Sequence, residues 1–202
     1  MAAKGVRTET APPPWSDFET LMSRITYAAQ VNGEPGLYRF LVFAAVSSYC
    51  GLRAGDVLRL RWRDVLNKSS FTVREAKTGK VRDLTVNPKL ESIINLAYEL
   101  AGHGSVDCYV VSNQRSKGEK PLTIQFINRW TKVIFERFGV AAQSASTHTF
   151  RKTFGRRVFE MNGKTDDSLI ILSDIFNHAS AAVTRRYIGL RREAIRDVYL
   201  TL

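Results

Sequence analysis

The stretch PGLYRFLVFAAVSSYC, residues 35–50, decides the fold of this chain. Pro35 suits the first turn of a helix, where the missing N–H of proline would have no partner anyway. The residues after it are apolar on nearly every side of a helix, not only along one stripe, and such a helix is covered by other elements all round. The stretch therefore predicts a central buried helix.

The segments on both sides of this helix predict further helices. SDFE, residues 16–19, fits a capping box and opens a helix that runs to about Val31. AGDVLRL, residues 54–60, predicts a short helix. Asn87 and Thr123 are typical N-cap residues, each in front of an amphipathic segment. Residues after 147 predict four more helices, separated by Gly163, Asn177 and Gly189.

The hydrophobic period changes in residues 69–86, SSFTVREAKTGKVRDLTV. Two β-prone arms flank Lys77-Thr78-Gly79-Lys80, and a glycine at such a tip predicts a β-hairpin. CYVVS, residues 108–112, is compatible with one more short strand. The expected fold class is mainly α with a small antiparallel β-sheet (α+β).

Composition predicts one soluble globular domain. The chain has 202 residues, of which 44% are hydrophobic and 24% charged. Residues 1–15 hold three consecutive prolines and predict a flexible arm or linker remnant, which leaves residues 16–202 for the domain. There is no apolar run that could span a bilayer and no secretory signal. Cys50 and Cys108 lack the spacing of metal ligands, and we expect buried, reduced thiols in a cytoplasmic protein.

The net charge indicates the partner. Thirty Lys and Arg against nineteen Asp and Glu give +11. Residues 51–90 hold ten cations and four anions, and so contribute +6 of that total. Proteins this basic usually bind a polyanion. No segment pairs a cationic helix face with a face of large apolar residues, as a membrane-surface helix would, so nucleic acid is the expected partner.

Two motifs in the first half of the chain carry candidate functional cations. Arg53 stands at a helix entrance in YCGLRAGDVLRLRWRDV, residues 49–65, and Asp56 lies three residues on, where it can hold the guanidinium. Lys77 and Lys80 flank the hairpin tip. Taken alone, the first motif also fits an ordinary surface ion pair and the second fits lysines kept for solubility.

Two further motifs lie in the second half. His148 and Arg151 share one helix face in THTFRKTFGRR, residues 147–157. His178 precedes Tyr187 by nine residues in FNHASAAVTRRYIGL, residues 176–190. Taken alone, these motifs also fit a solvated basic helix face and a half-buried packing tyrosine.

In this order the four motifs resemble the tyrosine recombinase (phage integrase) family, over roughly residues 35–190. GLRAGDVLRLRWRDV is similar to the first-arginine box of the family, and AKTGKVRDLTV to its lysine hairpin. HTFRKTF is similar to its His-x-x-Arg box. FNHASAAVTRRYI is similar to its His-to-Tyr box, where both the spacing and the Thr-x-x-Tyr ending fit.

Two features depart from the family pattern. Asp56 stands where the family more often has glutamate, which keeps the carboxylate. Family members usually carry a separate helical DNA-binding domain ahead of the catalytic one, and we expect none before residue 16. The chain is then either an excised catalytic domain or a naturally short member.

The resemblance implies six catalytic residues, and each residue type suits its task. Two guanidiniums bind the non-bridging phosphate oxygens and stay charged at any working pH. A phenolic oxygen attacks the phosphorus, and an acid must protonate the departing 5′-oxygen. No metal or other cofactor is needed. The implied roles are oxygen binding for Arg53 and Arg151, nucleophile for Tyr187, general base for His148, general acid for Lys77, and donor to a phosphate oxygen for His178.

The implied function is site-specific recombination or integration of double-stranded DNA, through a 3′-phosphotyrosyl intermediate and a Holliday junction, without metal or ATP. A protein of this kind is expected in the cytoplasm, with a prokaryotic or viral origin. It is also expected to form a homotetramer on paired DNA sites. Further DNA contacts are expected from Lys80, Arg82, Lys152, Arg185 and Arg186, although Lys152 also fits solvated surface and the arginine pair also fits an anchor for the tyrosine helix.

The tail LRREAIRDVYLTL, residues 190–202, has an apolar stripe with two explanations. Ile195, Val198, Tyr199 and Leu202 lie at positions i, i+3, i+4 and i+7. Packing on the tail's own domain is the preferred one. The resemblance implies the other, docking on a neighbouring protomer.

Three other functions stay open from sequence. A type IB topoisomerase has similar catalytic residues and would relax supercoils as a monomer. A DNA-binding relative without activity would keep the fold and form no covalent adduct. A helix-turn-helix repressor fits least, because it would not explain Lys77 or Tyr187.

Overall fold

The computed structural model describes residues 11–142 and 144–202. The described part contains ten α-helices and one antiparallel pair of strands, which confirms the expected α+β class. Residues 1–10 of the expected N-terminal arm lie outside the described residues. The elements are α1 (Trp15–Gln30), α2 (Tyr38–Cys50), α3 (Ala54–Val57), α4 (Trp62–Val65), β1 (Ser70–Arg74), β2 (Val81–Thr85), α5 (Pro88–Leu100), α6 (Ile124–Arg137), α7 (Thr147–Met161), α8 (Asp166–Phe176), α9 (Ala181–Tyr187) and α10 (Leu190–Thr201).

Helix α2 is the centre of the hydrophobic core, as its composition predicts. Eleven of its thirteen residues are buried. Phe40 and Phe43 meet Phe150 of α7 edge-on, with ring centroids 5.7 and 5.8 Å apart. Because Arg53 follows α2 directly, this packing fixes its backbone relative to α7, which carries His148 and Arg151.

Local signals placed most element boundaries correctly. The side chains of Asn87 and Thr123 accept the N–H groups of Leu90 and Phe126, at 2.9 and 3.2 Å, and so cap α5 and α6. The predicted hairpin forms, with Ser70 opposite Thr85 and a turn over residues 75–80. The four predicted C-terminal helices are α7 to α10.

Two local predictions were wrong, and the helix expected over residues 54–60 ends early, at Val57. Helix α1 begins at Trp15 with Pro14 at the N-cap, so Ser16 lies inside the first turn and makes no capping box. CYVVS forms two isolated bridges, from Tyr109 to Arg61 and from Ser112 to Pro121. Its backbone groups pair with loops on two sides, and a continuous strand does not form.

Two glycines allow helices to approach the site closely. Gly51 ends α2 in the left-handed region with φ +62°, and a Cβ there would lie 2.6 Å from the ring of Phe154. A Cβ on Gly155 of α7 would lie 2.7 Å from Ile188. Gly155 therefore lets the segment that carries Tyr187 pack directly on α7, over a small second core formed by Leu169, Leu172, Phe176 and Ile188.

The apolar stripe of the tail helix does not pack on its own domain, so the preferred sequence interpretation was wrong, although Leu190 at the start of the helix packs on the second core. None of the residues of α10 is buried. The predicted stripe is formed but exposed, from 50% at Ile195 to 97% at Leu202. Helix α10 is tied to the domain by an ion pair from Glu193 to Arg156, with Nη1–Oε2 at 2.7 Å.

Both cysteines are free. Cys50 is buried, and burial raises the pKa of its thiol to about 12. Cys108 is only half-buried, contrary to expectation, because it lies in the irregular segment after α5. Across the described ranges, every helix is too short or too polar to cross a membrane.

Candidate active site

The carboxyl end of α8 gathers both catalytic arginine candidates. The carbonyl oxygen of Phe176 accepts from Nη2 of Arg53 at 3.1 Å and from Nη2 of Arg151 at 3.0 Å. The last carbonyls of a helix lack internal partners and lie at the negative end of its dipole, so they attract cations. Asn177 then turns the chain with φ +52° and leads to His178. One backbone oxygen thus sets the spacing between the two guanidiniums.

Arg151 is held on three sides. Nη1 donates to the carbonyl of Gly51, and the guanidinium lies 4.3 Å above the ring of Phe176. Burial, more than any other influence, lowers the pKa of Arg151 to about 10, which leaves it charged at neutral pH. The fixed guanidinium of Arg151 can therefore bind and orient an anion that enters beside it.

The partner of Arg53 is Glu75, and the expectation that Asp56 holds it was wrong. Nη1 of Arg53 lies 2.6 Å from Oε2 of Glu75, which comes from the start of the hairpin turn. The carboxylate of Asp56 has other partners. Its Oδ1 accepts from Arg59 at 2.8 Å and from the backbone N–H of Ala76 at 2.9 Å.

Tyr187 lies between the two histidines. Its hydroxyl is 3.5 Å from Nδ1 of His148, and its ring centroid is 5.1 Å from that of His178. Nδ1 of His178 lies 2.9 Å from the hydroxyl of Thr184. Nζ of Lys152 lies over the Tyr187 ring, 5.3 Å from its centroid.

The electrostatics of this group set the protonation states of the tyrosine and of His148 before any substrate enters. Burial raises the pKa of Tyr187, while the charges of Arg151 and Arg53 pull it down. Burial also lowers the pKa of His148, and so do the nearby cations, Lys152 first. The phenol therefore keeps its proton at rest, and His148 is neutral at pH 7 and free to accept one.

The hairpin brings its two lysines to the same side. Lys77 is exposed near the tip, and its charge helps to lower the pKa values of both histidines. Lys80 donates to the side chain of Asn177, at the end of α8. All six predicted catalytic residues thus lie around the α8–α9 turn.

The predicted DNA contacts divide into two sets. Arg185 and Arg186 are exposed, as is Lys80. Lys152 is buried, and Arg82 is half-buried, with Nη1 3.4 Å from Glu75 and Nη2 3.3 Å from the carbonyl of Cys50. These two side chains are less exposed than the other three, and a DNA contact for either of them stays a prediction.

Sequence reasoning missed Glu75 and the Phe176 carbonyl. Glu75 is fully buried, and it comes directly after β1, where exposed and buried residues alternate. An acidic residue next to a lysine-rich turn was the only signal for it. The Phe176 carbonyl has no side-chain signal.

Comparisons with known proteins identify the family. The model of the phage integrase family matches residues 17–193. The probable integrase/recombinase YoeC of Bacillus subtilis (strain 168) is 31% identical over 160 residues, which cover 79% of this chain and 81% of YoeC. This chain has the catalytic-domain fold of a tyrosine recombinase. It belongs to the phage integrase family.

Solved structures show the same fold. The XerA recombinase matches with a TM-score of 0.69 and 21% identity, over 97% of this chain and 66% of XerA. The XerH recombinase in its post-cleavage complex with a palindromic difH substrate matches with a TM-score of 0.69 and 15% identity, over 98% of this chain and 55% of XerH. A lambda integrase dimer bound to a COC′ core site gives a TM-score of 0.62 and 14% identity, over 93% of this chain and 50% of the integrase. This chain thus spans between half and two thirds of these recombinases.

Proposed function

We propose that this protein is a site-specific DNA recombinase that cuts and rejoins strands through a 3′-phosphotyrosyl intermediate on Tyr187. The convergence of Arg53, Arg151 and two histidines on the surroundings of Tyr187 carries the proposal. The net charge of +11 supports a polyanionic substrate. The related XerH and lambda integrase structures, which contain their own DNA sites, support DNA.

The cleavage step is a displacement at phosphorus. The hydroxyl oxygen of Tyr187 forms a bond to the phosphorus as its proton passes to His148, and the bond from phosphorus to the 5′-oxygen breaks. Arg53 and Arg151 bind the non-bridging oxygens, where negative charge accumulates. The phosphotyrosyl bond keeps the energy of the phosphodiester bond that was broken. A 5′-hydroxyl from another strand can therefore attack it and form a new phosphodiester without ATP.

The leaving group and the second histidine have separate roles. Lys77 protonates the 5′-oxygen as it departs, because an alkoxide is a poor leaving group. Nδ1 of His178 is occupied by Thr184, so Nε2 is the nitrogen left for a phosphate oxygen. Since burial, together with the charges of Arg151 and Arg53, lowers the pKa of His178 to about 4, it donates as a neutral imidazole.

Covalent capture tests the proposal. A library of nicked duplexes is incubated with the protein, and adducts are resolved on a denaturing gel. Tyr187→Phe should form no adduct while binding DNA almost as well, since it loses only the hydroxyl. Tyr199→Phe is the matched control, because Tyr199 is 76% exposed on α10 and phenylalanine keeps its ring in the apolar stripe while it loses the hydroxyl. Adducts that survive in Tyr187→Phe, or no adduct with the unchanged protein, would refute the proposal.

The same capture experiment separates recombination from simple relaxation. A recombinase needs paired sites, whereas a type IB topoisomerase relaxes plasmid that carries none. We expect adducts at a restricted set of sequences and no relaxation of an unrelated supercoiled plasmid. Relaxation of any plasmid by Tyr187 would favour the topoisomerase.

Assembly through the tail is part of the proposal. Helix α10 leaves an apolar stripe uncovered, with Val198 57% and Tyr199 76% exposed. Exposed apolar stripes of this kind are usually covered by a partner. In a tetramer on paired DNA sites, the stripe would be covered by a second protomer. Val198→Asp should abolish complexes of more than one protomer on DNA, measured by sedimentation, and keep adduct formation wherever Tyr187 acts within its own protomer.

The exposed cations at the site bind the DNA backbone in this proposal. The proposed location of the protein is the cytoplasm. Lys80, Arg185 and Arg186 face solvent beside the catalytic group. Removing one phosphate contact should weaken binding to all sequences alike. Arg185→Ala therefore is expected to lower affinity for specific and nonspecific duplexes by the same factor.

A further inference from the structure

The carboxylate of Glu75 joins the site to the hairpin. It is fully buried, immediately after β1. Oε2 lies 2.6 Å from Nη1 of Arg53 and accepts from the hydroxyl of Thr78 at 2.8 Å, while Oε1 lies 3.4 Å from Nη1 of Arg82. A buried carboxylate is costly unless it is paired and hydrogen-bonded, and here every neighbour is a donor.

The charge of this carboxylate is retained in the folded protein. Burial by itself would raise the pKa of Glu75. The hydrogen bonds from Thr78 and Arg53 and the charges of Arg53 and Arg82 outweigh burial and lower it. Glu75 is therefore ionised at neutral pH, and Arg53 faces a full negative charge.

The backbone of Glu75 also shapes the turn that carries Lys77. Its N–H donates to the carbonyl of Lys80 at 2.9 Å, and its carbonyl accepts from Gly79 at 2.8 Å. The next residue, Ala76, is held by Asp56. The side chain and the backbone of one residue thus contact both the arginine and the hairpin.

Arg53 needs such an anchor. A free arginine side chain gives up about 2 kcal/mol of rotamer entropy when it is ordered. Its Nη2 is held by the Phe176 carbonyl, but one contact leaves the plane of the guanidinium free to rotate. A second contact on Nη1 fixes that plane, and fork geometry toward a phosphate requires a fixed plane.

We propose that Glu75 is the positioning residue of the active site, whose carboxylate fixes the plane of Arg53 toward the scissile phosphate and ties it to the hairpin. The proposal rests on the proposed function, in which Arg53 binds the non-bridging oxygens. Asp56, by contrast, only anchors the hairpin backbone and Arg59.

Substrate chemistry can separate positioning of Arg53 from support of Lys77. A methylphosphonate at the scissile position removes the charge that Arg53 neutralises. A bridging sulfur in place of the 5′-oxygen removes the need for Lys77. Adduct formation is compared for Glu75→Gln, Arg53→Ala and Lys77→Ala on both substrates and on normal DNA. Asp56→Asn is the matched control, because it neutralises the other buried carboxylate at the hairpin.

Glu75→Gln should slow adduct formation on normal DNA by about 10–100-fold, the scale seen when an outer partner of a site is lost. On the methylphosphonate substrate, the rate of Glu75→Gln relative to the unmutated protein should recover, as the rate of Arg53→Ala also should. On the sulfur substrate Glu75→Gln should stay slow. Asp56→Asn should not recover on methylphosphonate. Glu75→Asp keeps the negative charge but moves it one methylene farther from Arg53, so it should show the same pattern more weakly. This variant serves if the glutamine form does not fold.

Equal slowing of Glu75→Gln on all three substrates, or recovery only on sulfur, would overturn the proposal. A second measurement does not depend on activity. Nitrogen NMR of the Arg53 guanidinium should show distinct, slowly exchanging Nη signals in the unmutated protein and in Asp56→Asn, and averaged signals in Glu75→Gln. If these signals behave as expected while no adducts form, the proposed function fails and the positioning of Arg53 stands. If the Nη signals of Glu75→Gln stay distinct, Glu75 does not fix Arg53.

Discussion

Gly155 controls how closely the tyrosine helix approaches α7, and its replacement by alanine has a predictable cost. The added Cβ would lie 2.7 Å from Cγ2 of Ile188 and 3.0 Å from the ring of Phe176, both buried. Alanine in place of glycine inside a helix gains about 1 kcal/mol. Overpacking a tight core costs about 1–3 kcal/mol. The expected net change is a loss of roughly 0–2 kcal/mol.

A matched glycine makes this small number testable. Gly55 in α3 has 3.9 Å of clearance to Ile124, so Gly55→Ala meets no clash. It should gain about 1 kcal/mol, the same helix contribution as at Gly155, so the helix contributions cancel between the two variants. Urea unfolding of the two variants should therefore differ by about 1–3 kcal/mol, with Gly155→Ala the less stable.

The clash also reaches the chemistry, because Tyr187 is the neighbour of Ile188. A shift of a few tenths of an ångström in α9 changes the 3.5 Å separation between the Tyr187 hydroxyl and His148. Adduct formation by Gly155→Ala should fall, and Ile188→Ala in the same chain should restore part of it by removing Cγ2. Equal stability of Gly155→Ala and Gly55→Ala, with unchanged cleavage, would refute the packing argument.

Three other outcomes are expected. Because burial lowers the pKa of His178 from 6.5 to about 4, the unfolded chain takes up a proton at a higher pH than the folded protein does. The free energy of unfolding should therefore decline between about pH 6.5 and 4, by at most about 3 kcal/mol. His178→Asn should remove that part of the decline in urea unfolding. Lys77→Ala should slow cleavage of normal DNA by about 10²–10⁴ and approach the unmutated rate on the bridging-sulfur substrate, whereas recovery of Lys80→Ala alone would exchange the two roles. DNA affinity should fall steeply between 50 and 200 mM salt in an equilibrium titration, and an unchanged affinity would remove the case for phosphate contacts.

The sequence alone determined the features that depend on neighbouring residues. The N-caps at Asn87 and Thr123 and the hairpin around Gly79 are satisfied within a few residues, so their patterns predict them directly. The buried helix α2 follows from composition, because an apolar surface on every side has to be covered. The six candidate site residues came from the resemblance of four motifs to the phage integrase family, and their catalytic roles stay predictions.

Tertiary structure decided which groups meet. Asp56 is three residues from Arg53 and Glu75 is twenty-two residues away, yet the hairpin folds back and buries Glu75 against the guanidinium. Ion pairing depends on distance in space, and sequence separation does not report it. The two arginines share a backbone carbonyl of Phe176, an atom that every residue type carries. The stripe of α10 shows the same limit, because periodicity marks an apolar face and only the packed structure shows that its own domain leaves it uncovered.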